Sequence, residues 1–144
     1  MEFVLDVLGN REVYSLGIHD SVAEAARQMA YRNVGAILVL HYGELKGLFS
    51  ERDLLSRVVA AGRDPDFTLV SEVMTTDVVA IDETSSVQHA AELMRQYGFR
   101  HLPVVRGNMA LGMISMRDLL PLAVEAATAA AGIAATGGSV RSYH

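Results

Sequence analysis

A serine, an arginine and an aspartate recur at one spacing in two places of the chain. The two sets are Ser50, Arg52 and Asp53, and Ser115, Arg117 and Asp118. An ionised aspartate can accept two hydrogen bonds from the vicinal hydroxyls of a sugar, and an arginine can hold an anion through two parallel N–H groups. If each serine begins a helix, the unpaired N–H groups of the first turn are further donors for an anion. The pattern therefore indicates a site for a ligand that carries sugar hydroxyls and phosphate.

The same spacing also has a structural interpretation. S-x-x-D before an apolar run is a capping box, in which the serine hydroxyl accepts a hydrogen bond from the aspartate amide and the carboxylate accepts one from the serine amide. A capping box stabilises the start of a helix and needs no ligand. The spacing alone leaves both interpretations open.

The two sets belong to a longer internal repeat with an offset of 65 residues, as from Ser50 to Ser115. The segment from Val13 to Met29 aligns with that from Val78 to Met94. The identical pairs include Ser21/Ser86, Val22/Val87, Ala25/Ala90, Ala26/Ala91, Met29/Met94, Gly47/Gly112, Ser50/Ser115, Arg52/Arg117 and Asp53/Asp118. Solenoids need three or more units, so we expect two copies to pair about a pseudo-twofold.

Each copy predicts the same order of elements, βαββα. A β-prone run, Val13–Leu16 or Val78–Ile81, precedes Ser21 or Ser86, which are favourable helix N-caps. Apolar residues then follow at i, i+3, i+4 and i+7, the pattern of an amphipathic helix. Two short apolar runs in each copy predict buried strands, and a second helix follows the serine of S-x-x-D. The predicted later strands are Ala36–Leu40 and Leu45–Phe49 in the first copy and Leu102–Val105 and Ala110–Ile114 in the second.

These elements predict an α+β fold, an α/β sandwich of two βαββα repeats. We assign residues 7–62 to the first repeat and 77–125 to the second. The linker, residues 63–76, contains a short predicted helix over Val70–Met74. Residues 126–144 are expected to form an alanine-rich helix and a mobile tail.

Pro121 is a difference between the copies, because the first copy has Ser56 at that position. Proline inside a helix lacks an N–H and clashes with the preceding turn. We therefore predict a short turn over Ser115–Leu120 and a kink or a new helix start near Pro121.

Composition excludes several classes of protein and site. The chain has 144 residues, 51% of them apolar, which suffices for a core without covalent staples. It has no cysteine, and its scattered histidines lack the spacing of metal ligands, so no metal is expected. The net charge of −5 argues against nucleic acid and anionic membranes as partners. Leu119–Ala135 is shorter than the roughly 20 apolar residues of a spanning helix, and we expect a cytoplasmic protein.

The segment VSEVMTTDVVAIDETSSVQHAAELMRQYGFRHLPVV and the motif G-h-h-S-x-x-D-L, with h an apolar residue, resemble the CBS domain, named after cystathionine β-synthase. Two such domains in tandem form a Bateman module, and the resemblance extends from about Val7 to about Glu125. It implies that the aspartate of each motif binds ribose hydroxyls and that the neighbouring serine contacts ribose or phosphate. The ligands it implies are AMP, ADP, ATP, S-adenosylmethionine or a dinucleotide such as NAD. It also implies a homodimer.

The resemblance adds further candidate residues, because it implies that they line the ligand cleft. They are Ser15, Ala36, Ala80, Arg100, His101 and Pro103. The basic pair Arg100-His101 either contacts phosphate or is a solvated strand end, and both interpretations stay open. Ser15 stands where the family often has a threonine, whereas its counterpart Ala80 has no hydroxyl. We therefore expect two unequal sites.

Together these features predict a stand-alone regulatory module that binds an adenosine-containing ligand between its repeats and signals occupancy to an effector protein. No obligatory cofactor is expected. The alternative is a constitutive dimeric scaffold in which the S-x-x-D segments are caps only. A small hydrolase is a third interpretation, but no converging nucleophile and base, P-loop or G-x-G-x-x-G is present in the sequence. We therefore expect no enzymatic activity.

Overall fold

The computed structural model describes residues 3–120, which contain both helices and strands. The helices are α1 (Val4–Leu8), α2 (Val22–Arg32), α3 (Glu51–Asp53, continued by a π-helix over Leu54–Val59), α4 (Val70–Val73), α5 (Val87–Tyr97) and α6 (116–120). The strands are β1 (Ser15–Gly17), β2 (Ala36–His41), β3 (Glu44–Ser50), β4 (Ile81–Asp82), β5 (His101–Arg106) and β6 (Met109–Ser115). The predicted mixed α+β class is confirmed, since each copy contains the order βαββα.

The described chain divides into two units. The Asp53 unit comprises Glu12–Val79 and Asn108–Ala110, and the Asp118 unit comprises the described residues 3–11, Ala80–Gly107 and 111–120. Each unit therefore contains one copy of the repeat. The Asp118 unit also contains α1, although α1 comes before the first copy in the chain.

Three strands of the Asp53 unit follow the order β1-β2-β3. β1 runs parallel to β2, and β2 forms an antiparallel hairpin with β3 in which Ala36 lies opposite Ser50. The apolar run of β2 predicts a strand buried on both faces, and its first four residues are buried. The core around it contains Leu16, Val22, Ala25, Met29, Ile37, Val39, Phe49, Val58, Val70 and Val73. This packing fixes the end of β3, where Ser50 begins the next helix.

The Asp118 unit repeats this arrangement with β4, β5 and β6. Its strands follow the order β6-β5-β4, and Ile81 of β4 pairs in parallel with Val104 of β5. The buried apolar side chains of this unit are Val4, Val7, Leu8, Ile81, Ala90, Met94, Leu102, Val104, Ile114 and Leu119. Val4, Val7 and Leu8 come from α1, so this helix completes the core of the unit.

The two long helices have the start signals that the sequence predicts. Ser21 accepts a hydrogen bond from the amide of Glu24, and Ser86 accepts one from the amide of His89, each at 3.0 Å. Such a cap stabilises a helix by about 1 kcal/mol. Of the predicted apolar stripes, Val22, Ala25 and Met29 are buried in α2 and Ala90 and Met94 in α5. The remaining stripe positions are half-buried.

Helices α1 and α4 lie just before the first and second copies, and we call them the lead-in helices. Each one packs on the copy that it does not directly precede. The amide of Val4 donates to the carbonyl of Ser85 at 2.9 Å, and the amide of Val70 donates to that of Asp20 at 2.8 Å. Asp20 and Ser85 are equivalent in the repeat, so the two lead-in helices make the same contact reciprocally.

The boundaries of several predicted elements differ from the structure, and the four hairpin strands are each one or two residues longer than predicted. The first strand of each copy begins later than predicted, at Ser15 rather than Val13 and at Ile81 rather than Val78. The paired register with β2 and β5 begins only at Ser15 and Ile81. The helix over Val70–Val73 ends one residue before Met74. Residues 116–120 are helical, whereas Pro121 and the alanine-rich segment lie outside the described residues.

Candidate functional site

Asp53 is a buried carboxylate at the start of α3, with 5% of its surface exposed. Its Oδ2 accepts hydrogen bonds from the amide of Ser50 at 3.0 Å and from the Ser50 hydroxyl at 3.1 Å. The hydroxyl of Thr75 donates to the same carboxylate, 3.1 Å from Oδ1 and 3.3 Å from Oδ2. The Nε of Arg57 lies 3.7 Å from Oδ1. Neutral donors therefore make the hydrogen bonds to this carboxylate.

Asp118 has the same local geometry at the start of α6. Its Oδ2 accepts from the amide of Ser115 at 2.7 Å and from the Ser115 hydroxyl at 3.1 Å. The third donor differs, because Arg11 forms a two-pronged ion pair with this carboxylate. Nη1 of Arg11 lies 2.9 Å from Oδ2, and Nη2 lies 3.0 Å from Oδ1. The second site therefore contains a full positive charge where the first has the Thr75 hydroxyl.

Both S-x-x-D segments form complete capping boxes. The Ser50 hydroxyl accepts from the amide of Asp53, and the Ser115 hydroxyl accepts from the amide of Asp118, each at 3.3 Å. The structural interpretation of the motif is thus realised in both copies. Capping does not consume either carboxylate, because the capping serine uses Oδ2 alone. The remaining hydrogen-bonding capacity of each carboxylate faces Thr75 or Arg11.

The pKa of Asp118 reflects these neighbours. Burial raises the pKa, but the Arg11 guanidinium and the Ser115 amide and hydroxyl lower it by more. The net pKa therefore lies below the ordinary value of 3.8, and Asp118 is ionised at neutral pH. An ionised carboxylate is the form that accepts hydrogen bonds from both hydroxyls of a diol.

A glycine in each β-hairpin lets a lead-in helix reach the carboxylate. A Cβ added at Gly47 would lie 2.5 Å from Met74 Sδ and 2.8 Å from the carbonyl oxygen of Thr75. One added at Gly112 would lie 2.9 Å from a methyl carbon of Leu8. Only a residue without a side chain fits so close an approach. The glycine of G-h-h-S-x-x-D thus leaves room for the segment that contains Thr75 or Arg11.

The residue just before the first strand of each hairpin also contacts the start of the helix. The amide of Glu51 donates to the carbonyl of Gly35 at 3.0 Å, and the amide of Met116 donates to that of Arg100 at 2.9 Å. Ala36, a predicted site residue, is buried and pairs with Ser50 across the hairpin. The structure therefore brings the predicted Ala36 and Arg100 segments to the two S-x-x-D motifs.

The other candidate residues lie in α3 and α6 and on or next to strands β1, β4 and β5. Arg52 and Arg117 have exposed side chains, and within residues 3–120 neither forms an ion pair. Ser15 lies on β1 opposite Leu38, with no hydrogen bond from its hydroxyl to the Asp53 site among the described residues. Ala80 is half-buried just before β4. On β5, His101 is half-buried and Pro103 is buried.

Three residues that contact the carboxylates were not predicted from the sequence: Thr75, Arg57 and Arg11. For Thr75 and Arg11, the signal is the likeness of the lead-in helices that they follow, VLDVL (Val4–Leu8) and VSEVM (Val70–Met74). This likeness has an offset of 66 residues, so an ungapped comparison at 65 does not include it. Within residues 3–120, no cluster of histidine and carboxylate side chains has the geometry of a metal site. The same residues contain no helix of the length and apolarity that a membrane span requires.

A family model and a similar protein sequence both identify the same family for this chain. A family model for the CBS domain matches residues 4–60 and again residues 70–125. The CBS domain-containing protein YhcV of Bacillus subtilis is 40% identical over 108 residues, which cover 75% of this chain and 76% of YhcV.

Two solved structures have the same fold as this chain. The CBS-domain containing protein ATU1752 from Agrobacterium tumefaciens is 33% identical with a TM-score of 0.73, and the match covers 83% of this chain and 98% of that one. The CBS domain protein PAE2072 from Pyrobaculum aerophilum, solved in complex with AMP, is 28% identical with a TM-score of 0.77. That match covers 88% of this chain and 98% of the other.

Proposed function

Because this chain belongs to the CBS-domain family and contains two CBS domains in tandem, we propose that it is a regulatory module that binds an adenosine-containing ligand. The carboxylates of Asp53 and Asp118 bind the ribose hydroxyls, and Arg52 and Arg117 bind phosphate. The candidate ligands are AMP, ADP and ATP, with NAD and S-adenosylmethionine as further members of the class. The proposal includes a cytoplasmic location and no enzymatic activity.

The observation that carries the proposal is the repeated carboxylate geometry. Each aspartate is held by the amide and hydroxyl of its own serine, while its other hydrogen bonds come from a side chain outside the repeated segment. A ribose diol can replace those outside donors without disturbing the helix cap. The complex of PAE2072 with AMP supports an adenine nucleotide as the ligand class.

Signalling follows from the position of the outside donors. Thr75 and Arg11 are attached to the lead-in helices, so a ligand that displaces them favours arrangements in which the lead-in chain has moved. A ligand shifts such an equilibrium only by the difference between its affinities for the two arrangements. A partner protein that binds one arrangement would detect occupancy, and a homodimer is part of the same proposal.

Two experiments test the proposed ligand class. Mass spectrometry of small molecules released from the purified protein should detect an adenosine-containing compound. Thermal unfolding with AMP, ADP, ATP, NAD or S-adenosylmethionine should show a stabilisation of about 2.7 kcal/mol at 100 times the dissociation constant. For this size of protein the melting temperature should rise by about 5–10 °C. No shift with any of the five ligands contradicts the proposal.

A constitutive scaffold is the second candidate function. The completeness of both capping boxes favours it, because every hydrogen bond of Ser50, Asp53, Ser115 and Asp118 has a structural purpose without a ligand. Asp53→Ala and Asp118→Ala separate the two functions. A ligand-binding role predicts weaker binding by about 1.5–3 kcal/mol for each, and Asn at either position should weaken it less. Normal binding with earlier melting would assign both residues to capping alone.

A further inference from the structure

The Arg11–Asp118 ion pair occupies the acceptor positions that a ribose diol would need. Arg11 donates to both carboxylate oxygens, and the Ser115 amide and hydroxyl occupy the rest of Oδ2. The pair lies at the surface, since 45% of the Arg11 side chain and 19% of the Asp118 side chain are exposed. Arg11 therefore has room to leave the carboxylate while the Asp118 backbone stays in place.

The chemistry of that exchange depends on the ligand. A diol that displaces Arg11 replaces a charged donor with two neutral ones, so the guanidinium loses its two hydrogen bonds to the Asp118 carboxylate. A phosphate group on the ligand can replace this carboxylate, because it accepts two parallel hydrogen bonds from a guanidinium as a carboxylate does. Adenosine brings only the diol, whereas AMP brings the diol and the phosphate together.

We propose that Arg11 is a specificity-determining residue of the Asp118 site, where it makes binding of an adenosine-containing ligand depend on a phosphate group. This inference rests on the proposed function. In the bound state the Arg11 guanidinium pairs with the ligand phosphate, and Asp118 accepts the ribose hydroxyls. Without phosphate, Arg11 competes with the ribose for Asp118.

The Asp53 site lacks this requirement. Thr75 is a neutral donor, and water can satisfy its hydroxyl after a diol displaces it. The nearby Arg57 is held by the backbone, since its Nη1 donates to the carbonyl of Met74 at 3.1 Å. Arg57 also has no counterpart in the second copy, where Leu122 stands at the equivalent position. The two sites should therefore discriminate AMP from adenosine to different degrees.

The experiment uses the amide signals of Ser50 and Ser115 in the ¹⁵N-labelled full chain. Each amide donates to its own aspartate, so each reports on one site. In the wild-type protein, AMP should move the Ser115 signal at a concentration at least about tenfold lower than adenosine, which corresponds to about 1.4 kcal/mol. The Nε signal of Arg11 should respond to AMP at a lower concentration than to adenosine, in the same order as the Ser115 signal.

Arg11→Gln should reduce the preference at Ser115 to less than about a third of the wild-type value, because adenosine then binds more tightly, and the preference that remains is the contribution of Arg117. Arg11→Lys keeps the charge but not the two-pronged geometry and should give an intermediate preference. The preference at Ser50 should not change in either variant. Arg106→Gln is the matched control, because it removes a two-pronged ion pair, that with Glu83, from the same unit.

The outcomes separate this inference from the proposed function. If AMP moves the Ser115 signal and the preference is the same in wild type and Arg11→Gln, Arg11 has a structural role only. That result overturns the inference and leaves the proposed function standing. If none of AMP, ADP, ATP, NAD and S-adenosylmethionine moves either amide signal of the wild-type protein, both fail. The dispersion of the amide spectrum shows whether each variant is folded.

Discussion

The Asp53 and Asp118 sites have the same local structure and a different charge. In both, a serine caps a short helix and its amide and hydroxyl hold the carboxylate. The additional contacts at Asp53 are the Thr75 hydroxyl and a more distant Arg57 guanidinium, whereas Arg11 supplies a close ion pair at Asp118. Repetition of a motif therefore reproduces its hydrogen bonds but not its electrostatics.

The source of the difference lies outside the repeated segment. Each carboxylate receives its distinguishing donor from the chain around a lead-in helix, and the two lead-in regions differ in sequence where they approach the site. The capping box is a property of four consecutive residues. The third donor to each carboxylate is instead supplied by a residue far away in the chain.

The largest expected effect concerns the two hairpin glycines. Gly47→Ala should lower the free energy of unfolding by about 3 kcal/mol, because the added methyl group meets the backbone of Thr75. Gly112→Ala should cost about 2 kcal/mol, because the added methyl group meets a methyl carbon of the buried Leu8 and the φ of +159° at Gly112 is one that residues with a side chain rarely adopt. Urea denaturation measures both. Equal losses would mean that the two lead-in helices are held with equal rigidity.

Removal of the aspartates should also affect stability unequally. Asp53→Ala leaves the half-buried Ser50 amide and Thr75 hydroxyl without their acceptor, which should cost about 2 kcal/mol. Asp118→Ala should cost about 1 kcal/mol, because Arg11 is exposed and water can solvate its guanidinium. The free energies of unfolding without ligand test this order. A larger loss for Asp118→Ala would contradict it.

Thr75→Val isolates the neutral donor of the Asp53 site. The substitution keeps the shape of the side chain and removes one hydroxyl hydrogen bond to the buried side chain of Asp53, so the free energy of unfolding should fall by about 1.5 kcal/mol. Thr76→Val is a matched control, because Thr76 is exposed and adjacent in the chain. Similar losses in both variants would show that the Thr75 hydroxyl contributes nothing particular to stability.

The smallest effect concerns Arg11 and pH. The pKa of Asp118 is below 3.8 in the folded protein. A depressed carboxyl pKa stabilises the fold above the unfolded-state pKa, and this stabilisation is lost as the pH falls through the folded-state pKa. Arg11→Gln should therefore cost about 0.5 kcal/mol at neutral pH, and the cost should shrink as the pH falls below 3.8.

Urea denaturation of wild type and Arg11→Gln between about pH 6 and about pH 3 measures this change. Lys46→Gln removes one positive charge from an exposed residue that forms no ion pair within residues 3–120, and it serves as the control for net charge. A cost of Arg11→Gln that stays constant over this range would mean that the ion pair contributes nothing to stability.

The sequence predicted the local structure well, because local structure depends on neighbouring residues. The caps at Ser21 and Ser86 and the hairpin strands follow from short-range patterns, and the structure contains them. The sequence did not predict Thr75 at Asp53 or Arg11 at Asp118, because these contacts join residues 22 and 107 positions apart. No periodic pattern in the sequence predicts a contact between residues so far apart. The reciprocal packing of the lead-in helices brings these residues together, and this packing is visible only in the folded structure.

The reciprocal contacts also impose an order on synthesis. Arg11 leaves the ribosome 107 residues before Asp118, which corresponds to a delay of roughly 5–20 s at about 5–20 residues per second. During that delay the buried residues of α1, Val4, Val7 and Leu8, have no core to enter, whereas α4 emerges after the copy on which it packs. The nascent chain therefore exposes the apolar side chains of one short segment until the second copy is made.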